Sequence, residues 1–85
     1  DAQSLLNIAE GAHSEVENLF QRMRELAIQA VNDTNSAADR TALNTELRAL
    51  HDEIDRINDT TTWAGQSLLS AYVRRDKTGR DVSSV

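Results

Sequence analysis

The chain has 85 residues, of which 39% are hydrophobic and 4% aromatic, with no cysteine and a formal net charge of −5. So short a chain is one small domain at most, and without cysteine it has neither a disulfide nor a thiolate metal site to staple it. The acidic balance argues against duplex nucleic acid as a partner, no apolar run approaches the roughly 18 residues of a membrane span, and no signal-peptide pattern is read.

The first element spans residues 5–31. Leu5, Ala9, Ala12, Val16, Leu19, Met23, Leu26 and Ala30 follow one another in alternating steps of four and three. This heptad rhythm predicts a helix that buries a seam against another helix. At roughly 100° per residue these positions share one arc, and Leu6, Phe20, Ala27 and Val31 widen it on one side. An arc so wide needs two or more neighbours. The helix is already under way at Leu5 without an obvious cap, as expected of an excised segment. Gly11 lies inside the pattern, either as a tolerated weak spot or as a place where another backbone comes close.

Residues 32–36, Asn-Asp-Thr-Asn-Ser, are turn formers that end the first helix. Ser36 followed by Asp39 fits the S-x-x-D capping pattern, so a second helix starts near Ala37. Leu43, Leu47, Leu50, Ile54 and Ile57 again step by four and three, and the outer face offers Arg48–Asp52 and Asp52–Arg56 as i,i+4 ion pairs. The short connection makes the two helices antiparallel neighbours.

Asn58, Asp59 and the three threonines at 60–62 are read as the end of the second helix. In residues 60–70, Gly65 marks a turn, with Trp63, Leu68 and Leu69 as anchors. Residues 71–85 are unassigned, either a hairpin turning at 77–80 or a frayed terminus. The expected fold is all-α: a long helix over residues 1–35, a shorter antiparallel one over 36–59, and a terminal turn, short β or disordered tail. The hairpin would form part of a larger helical bundle.

Candidate chemistry is sparse. His13 with Glu17 and His51 with Asp55 are each spaced i,i+4, which supplies two metal ligands where a stable site needs three or four. No phosphate loop, HExxH or nucleophile elbow is present. Neither an enzyme nor a bound cofactor or metal is expected.

The run from Gln21, QRMRELAIQA, followed by Asn32-Asp33-Thr34-Asn35-Ser36, resembles bacterial flagellins, which carry a QRxRELAxQ stretch on a long helix and N-x-T-N-S at its end. Ile8-Ala9-Glu10-Gly11-Ala12 before it, Glu53-Ile54-Asp55-Arg56-Ile57 after it, and Trp63-Ala64-Gly65-Gln66-Ser67-Leu68-Leu69, in place of a family F-N-G-x-x-L-L, extend the resemblance over residues 3–70. Residues 71–85 match no part of it. The resemblance implies the amino-terminal half of the rod domain called D1, in an extracellular filament exported through the flagellar secretion apparatus. The partners it implies are other flagellin subunits and the vertebrate Toll-like receptor that senses flagellin, with neither nucleic acid nor membrane. It places receptor docking on Arg22, Leu26 and Glu46, and subunit or receptor contacts on the neighbouring Gln21, Glu25, Gln29 and Leu43. Arg22 and Leu26 are i,i+4, with Leu26 expected at the rim of the apolar arc and Arg22 just outside it. Two other readings stand beside this one: the hook–filament junction protein, which shares the hairpin, and an unrelated acidic helical adaptor.

Overall fold

The structure, a computed structural model, describes residues 2–32 and 34–75. They form two helices, α1 (Ala2–Asn32) and α2 (Ala37–Arg75). The hairpin between them is capped as the sequence predicts. Ser36 and Asp39 form a reciprocal capping box: the Asp39 amide donates to Ser36 Oγ and the Ser36 amide to Asp39 Oδ2, each at 3.1 Å. Two of the amides that a helix start leaves unpaired are thereby satisfied. At the other side of the loop, Asn35 Nδ2 donates to the Ala30 carbonyl at 3.0 Å, which occupies one of the free carbonyls at the end of α1.

The two helices share one narrow seam. Leu26, Leu43 and Ile57 are its buried residues, at 1%, 9% and 5% exposure. From α1, Ile8, Ala12, Val16, Leu19 and Met23 are half-buried along it; α2 contributes Leu47, Leu50, Ile54, Thr61, Ala64 and Leu68. The molecule measures 66 × 20 × 12 Å. Its thinnest dimension is about the diameter of one helix with its side chains, so everything outside the shared seam faces solvent.

Three expectations are corrected by this packing. First, α2 does not end at residue 59. It continues through the threonines at 60–62 and through Gly65 to Arg75, so the turn assigned to 60–70 is helix, as are residues 71–75. The reason is tertiary. The 31 residues of α1 need an antiparallel partner along their whole length, and Thr61, Ala64 and Leu68 extend the seam to meet its first turns. Each threonine costs only a few tenths of a kcal/mol in a helix, less than that burial returns. The turn proposed at 77–80 lies outside the described residues.

Second, the seam runs along one edge of the apolar arc instead of its middle. Ala9 and Ala30, assigned to it, are exposed, whereas Ile8 is half-buried and Leu26, expected at the rim, is the most buried side chain among the described residues. Third, Arg56 forks onto Glu53, three residues before it, and not onto Asp52: Nε donates to Glu53 Oε2 at 3.0 Å and Nη2 to Oε1. That bond lowers the Glu53 carboxyl below its ordinary range.

On the flank of α1 that α2 leaves open, Leu6 is 50% exposed, Phe20 55% and Val31 83%. Gly11 is no close approach within the hairpin, since a Cβ there would meet nothing within 4 Å.

Candidate docking surface

Near the loop, the last three turns of α1 and the first turns of α2 enclose an open groove of about 470 Å³. Arg22, Leu26 and Gln29 line it from α1, Leu43 and Glu46 from α2, and Thr34, Asn35, Asp39 and Ala42 close its loop end. Five of the seven residues singled out from the sequence therefore meet at one place. Glu25 joins them through Arg22. Gln21 is exposed and is not among the residues lining the groove.

The polar centre of the groove is Arg22. Its Nε donates to Glu46 Oε1 at 2.8 Å and its Nη2 lies 2.7 Å from the same oxygen, while Nη1 donates to Glu25 Oε2 at 3.1 Å. The guanidinium thus bridges the two helices and also ties back to its own. These bonds, Glu46 first and Glu25 second, raise the Arg22 pKa above its ordinary value, so the group is a cation at any physiological pH. Arg22 and Glu46 keep 47% and 41% of their side-chain surface in water. A pair so exposed contributes little to stability.

The apolar members behave differently from the expectation carried on the motif. Leu26 and Leu43 form the floor of the groove, buried under the polar rim. In this hairpin Leu26 supports the surface from beneath. For Asp39 and the loop residues at the groove's end the sequence signals only a cap and a turn. What places them beside Arg22 is the antiparallel return of the chain, for which the capping pattern was the available signal.

The opposite side of α1 is a second surface. Phe20 and Arg22 are two residues apart and so project roughly 160° apart around the helix. Phe20, with Leu6, Ala27 and Val31, forms the uncovered apolar stripe on that side. At the far end of the hairpin, Ala2, Leu5, Leu68, Leu69 and Tyr72 surround an apolar cleft of about 270 Å³.

The histidines are exposed on both helices. His13 Nε2 lies 2.9 Å from Glu17 Oε1. His51 Nδ1 is 3.6 Å from Asp55 Oδ2 and 3.7 Å from Asp52 Oδ1. Asp52 adds a third candidate ligand to the two counted from the spacing, with all three atoms within 4.8 Å of one another. All three side chains are exposed, and carboxylates of this kind are common on solvated helix faces.

Comparison with known proteins locates the chain. Residues 1–74 match the family described as the bacterial flagellin N-terminal helical region. Polar flagellin F of Vibrio parahaemolyticus is 49% identical over 70 residues, which is 82% of this chain and 19% of that protein. Flagellin E of Vibrio cholerae is 50% identical over 70 residues, covering 82% of the chain and 18% of the relative, and flagellin D of Vibrio anguillarum is 47% identical over 70 residues, covering 82% and 19%. The chain thus spans about a fifth of the length of the relatives it matches. No solved structure matches it significantly.

Proposed function

Because the chain belongs to the bacterial flagellin family, we propose that it is a packing segment of the flagellar filament subunit, outside the cell, and that it carries on its other side the surface read by the vertebrate Toll-like receptor for flagellin. The observation that carries the first part is the mismatch between α1 and its partner. A helix of 31 residues presents an apolar arc much wider than α2 covers, with Phe20 55% and Val31 83% exposed. Large side chains left open along a rigid rod suit an element that other helices of the subunit or its neighbours complete. The groove at Arg22 is open and floored by leucine. No described helix is long and apolar enough to cross a membrane.

The test is polymerisation of the full-length parent flagellin. Phe20→Glu places a charge on the uncovered stripe and abolishes or strongly slows filament growth. Ser14→Glu, on the polar side of the same helix, leaves it unchanged. Growth of Phe20→Glu filaments at the wild-type rate would show that the stripe is not a packing surface.

The second part rests on the QRxRELA motif and on the groove that gathers Arg22, Leu26, Gln29, Leu43 and Glu46. Arg22 lies at its centre, a planar cation held at the junction of two helices, and Leu26 supplies the floor. A guanidinium so placed suits a docking hot spot.

A further inference from the structure

We propose that His51, Asp52 and Asp55, on the outer face of α2, form a binding site for a divalent transition cation of the zinc class. The spacing of His51 and Asp55 supplies two ligands, and the structure adds Asp52 as the third. His51 Nδ1 lies 3.6 Å from Asp55 Oδ2 and 3.7 Å from Asp52 Oδ1, and the three ligand atoms are all within 4.8 Å of one another. Both gaps are too long for a hydrogen bond, so neither carboxylate is closed onto the imidazole. Metal bonds of about 2.0–2.2 Å at tetrahedral angles hold neighbouring ligand atoms roughly 3.3–3.6 Å apart. A cation placed between the imidazole and the two carboxylates therefore meets its nitrogen and oxygen ligands close to their bonding positions. His13 and Glu17 are the contrast. Their Nε2 and Oε1 stand 2.9 Å apart, in direct contact, and no third ligand joins them among the described residues.

The charge around the three residues favours the same reading. The sequence offers Asp52 two cations, Arg48 and Arg56, each four residues away. Neither takes it. Arg56 forks onto Glu53 through Nε and Nη2, and Arg48 forms no ion pair among the described residues. The ion contacts of Asp52 and Asp55 run to His51 alone. A dication held by a neutral imidazole and two carboxylates cancels both negative charges, on a chain whose formal net charge is −5. The ligand set also selects among cations. Imidazole suits zinc, nickel and copper, whereas magnesium and calcium take oxygen ligands. The three positions fall within about 100° of the circumference of α2. They stand on one continuous helix, so binding has only side-chain rotamers left to order. Because all three side chains are exposed, water completes the coordination, as in an open site and unlike a closed structural one.

The experiment uses monomeric full-length parent flagellin, freed of metal with a chelator, and zinc chloride as the probe. Zinc is titrated calorimetrically into wild type, His51→Ala, Asp52→Asn, Asp55→Asn and His13→Ala, with helicity recorded for each. His51→Ala weakens zinc binding about tenfold or more, and each Asp→Asn change weakens it severalfold. His13→Ala binds as wild type. Helicity is the same in all five proteins, since every altered side chain is exposed. Excess magnesium chloride leaves the zinc in place, because magnesium gains little from an imidazole. If His51→Ala binds zinc as wild type does, or if His13→Ala loses as much as His51→Ala, α2 has no such site. If Asp52→Asn binds as wild type, only the His51–Asp55 pair is engaged and the three-ligand site is overturned. Displacement of zinc by magnesium would show that charge alone attracts the ion, which also overturns it.

Discussion

Leu5 rests against Gly65. A Cβ added at Gly65 would stand 3.4 Å from Leu5 Cδ1, at the inner limit of ordinary van der Waals contact, so the first turn of α1 lies close against the far part of α2 with room for a methyl group and little more. The residue read as a turn marker is thus an ordinary helical position facing α1, where a small side chain suits the close approach of Leu5.

The contact sets the first prediction. Gly65→Ala fits the space, and its gain in helix propensity offsets the slight crowding of Leu5, so melting stays at or above wild type. Gly65→Ile adds atoms that the space lacks, pushes Leu5 away and costs about 1–2 kcal/mol as an overpacked site. Melting curves at matched concentration, with hydrogen exchange over residues 2–9, measure both. An isoleucine variant as stable as the alanine one would show that α1 and α2 are not in contact at this end.

Gly11 gives the opposite result in the same helix pair. Nothing lies within 4 Å of where its Cβ would be. Gly11→Ala therefore stabilises the hairpin by about 1 kcal/mol through helix propensity and the lower entropy of the unfolded chain. Thermal melting of the two chains side by side reads the difference. A lower melting temperature for Gly11→Ala within the full-length protein, against a higher one in the 85-residue chain, would locate a close neighbour outside this segment.

How far the sequence carried is visible in individual residues. Ser36 and Asp39 state the start of α2 locally, because a capping box needs only four consecutive residues. The stepping of Leu43, Leu47, Leu50, Ile54 and Ile57 states which face of α2 is covered. Where α2 ends was not legible from residues 58–62, whose local preference for turns is outweighed by a partner 31 residues long. The comparable lengths of antiparallel arms held the missing signal. Leu26 shows another limit. On an arc as wide as that of α1, helical periodicity gives the set of apolar positions but not which edge of the set a single partner takes. The partner took the edge of Ile8 and Leu26, leaving Phe20 and Val31 bare. The bond from Arg22 to Glu46 spans 24 residues and appears only once the chain has folded back.

The bare edge carries the last prediction: the 85-residue chain by itself associates in solution. Leu6, Phe20 and Val31 are 50%, 55% and 83% exposed and lie on one flank of α1. Large apolar side chains left open side by side along a rigid helix drive self-association. Sedimentation at tens of micromolar then shows dimers or larger species, and helicity rises with concentration because the seam between α1 and α2 buries only Leu26, Leu43 and Ile57 outright. Phe20→Glu returns the chain to a monomer and lowers its helicity at high concentration. Ser14→Glu, on the polar side, changes neither. A sharp, concentration-independent monomer with a cooperative melt would mean that the seam of α1 and α2 is sufficient alone and that the open flank needs no cover.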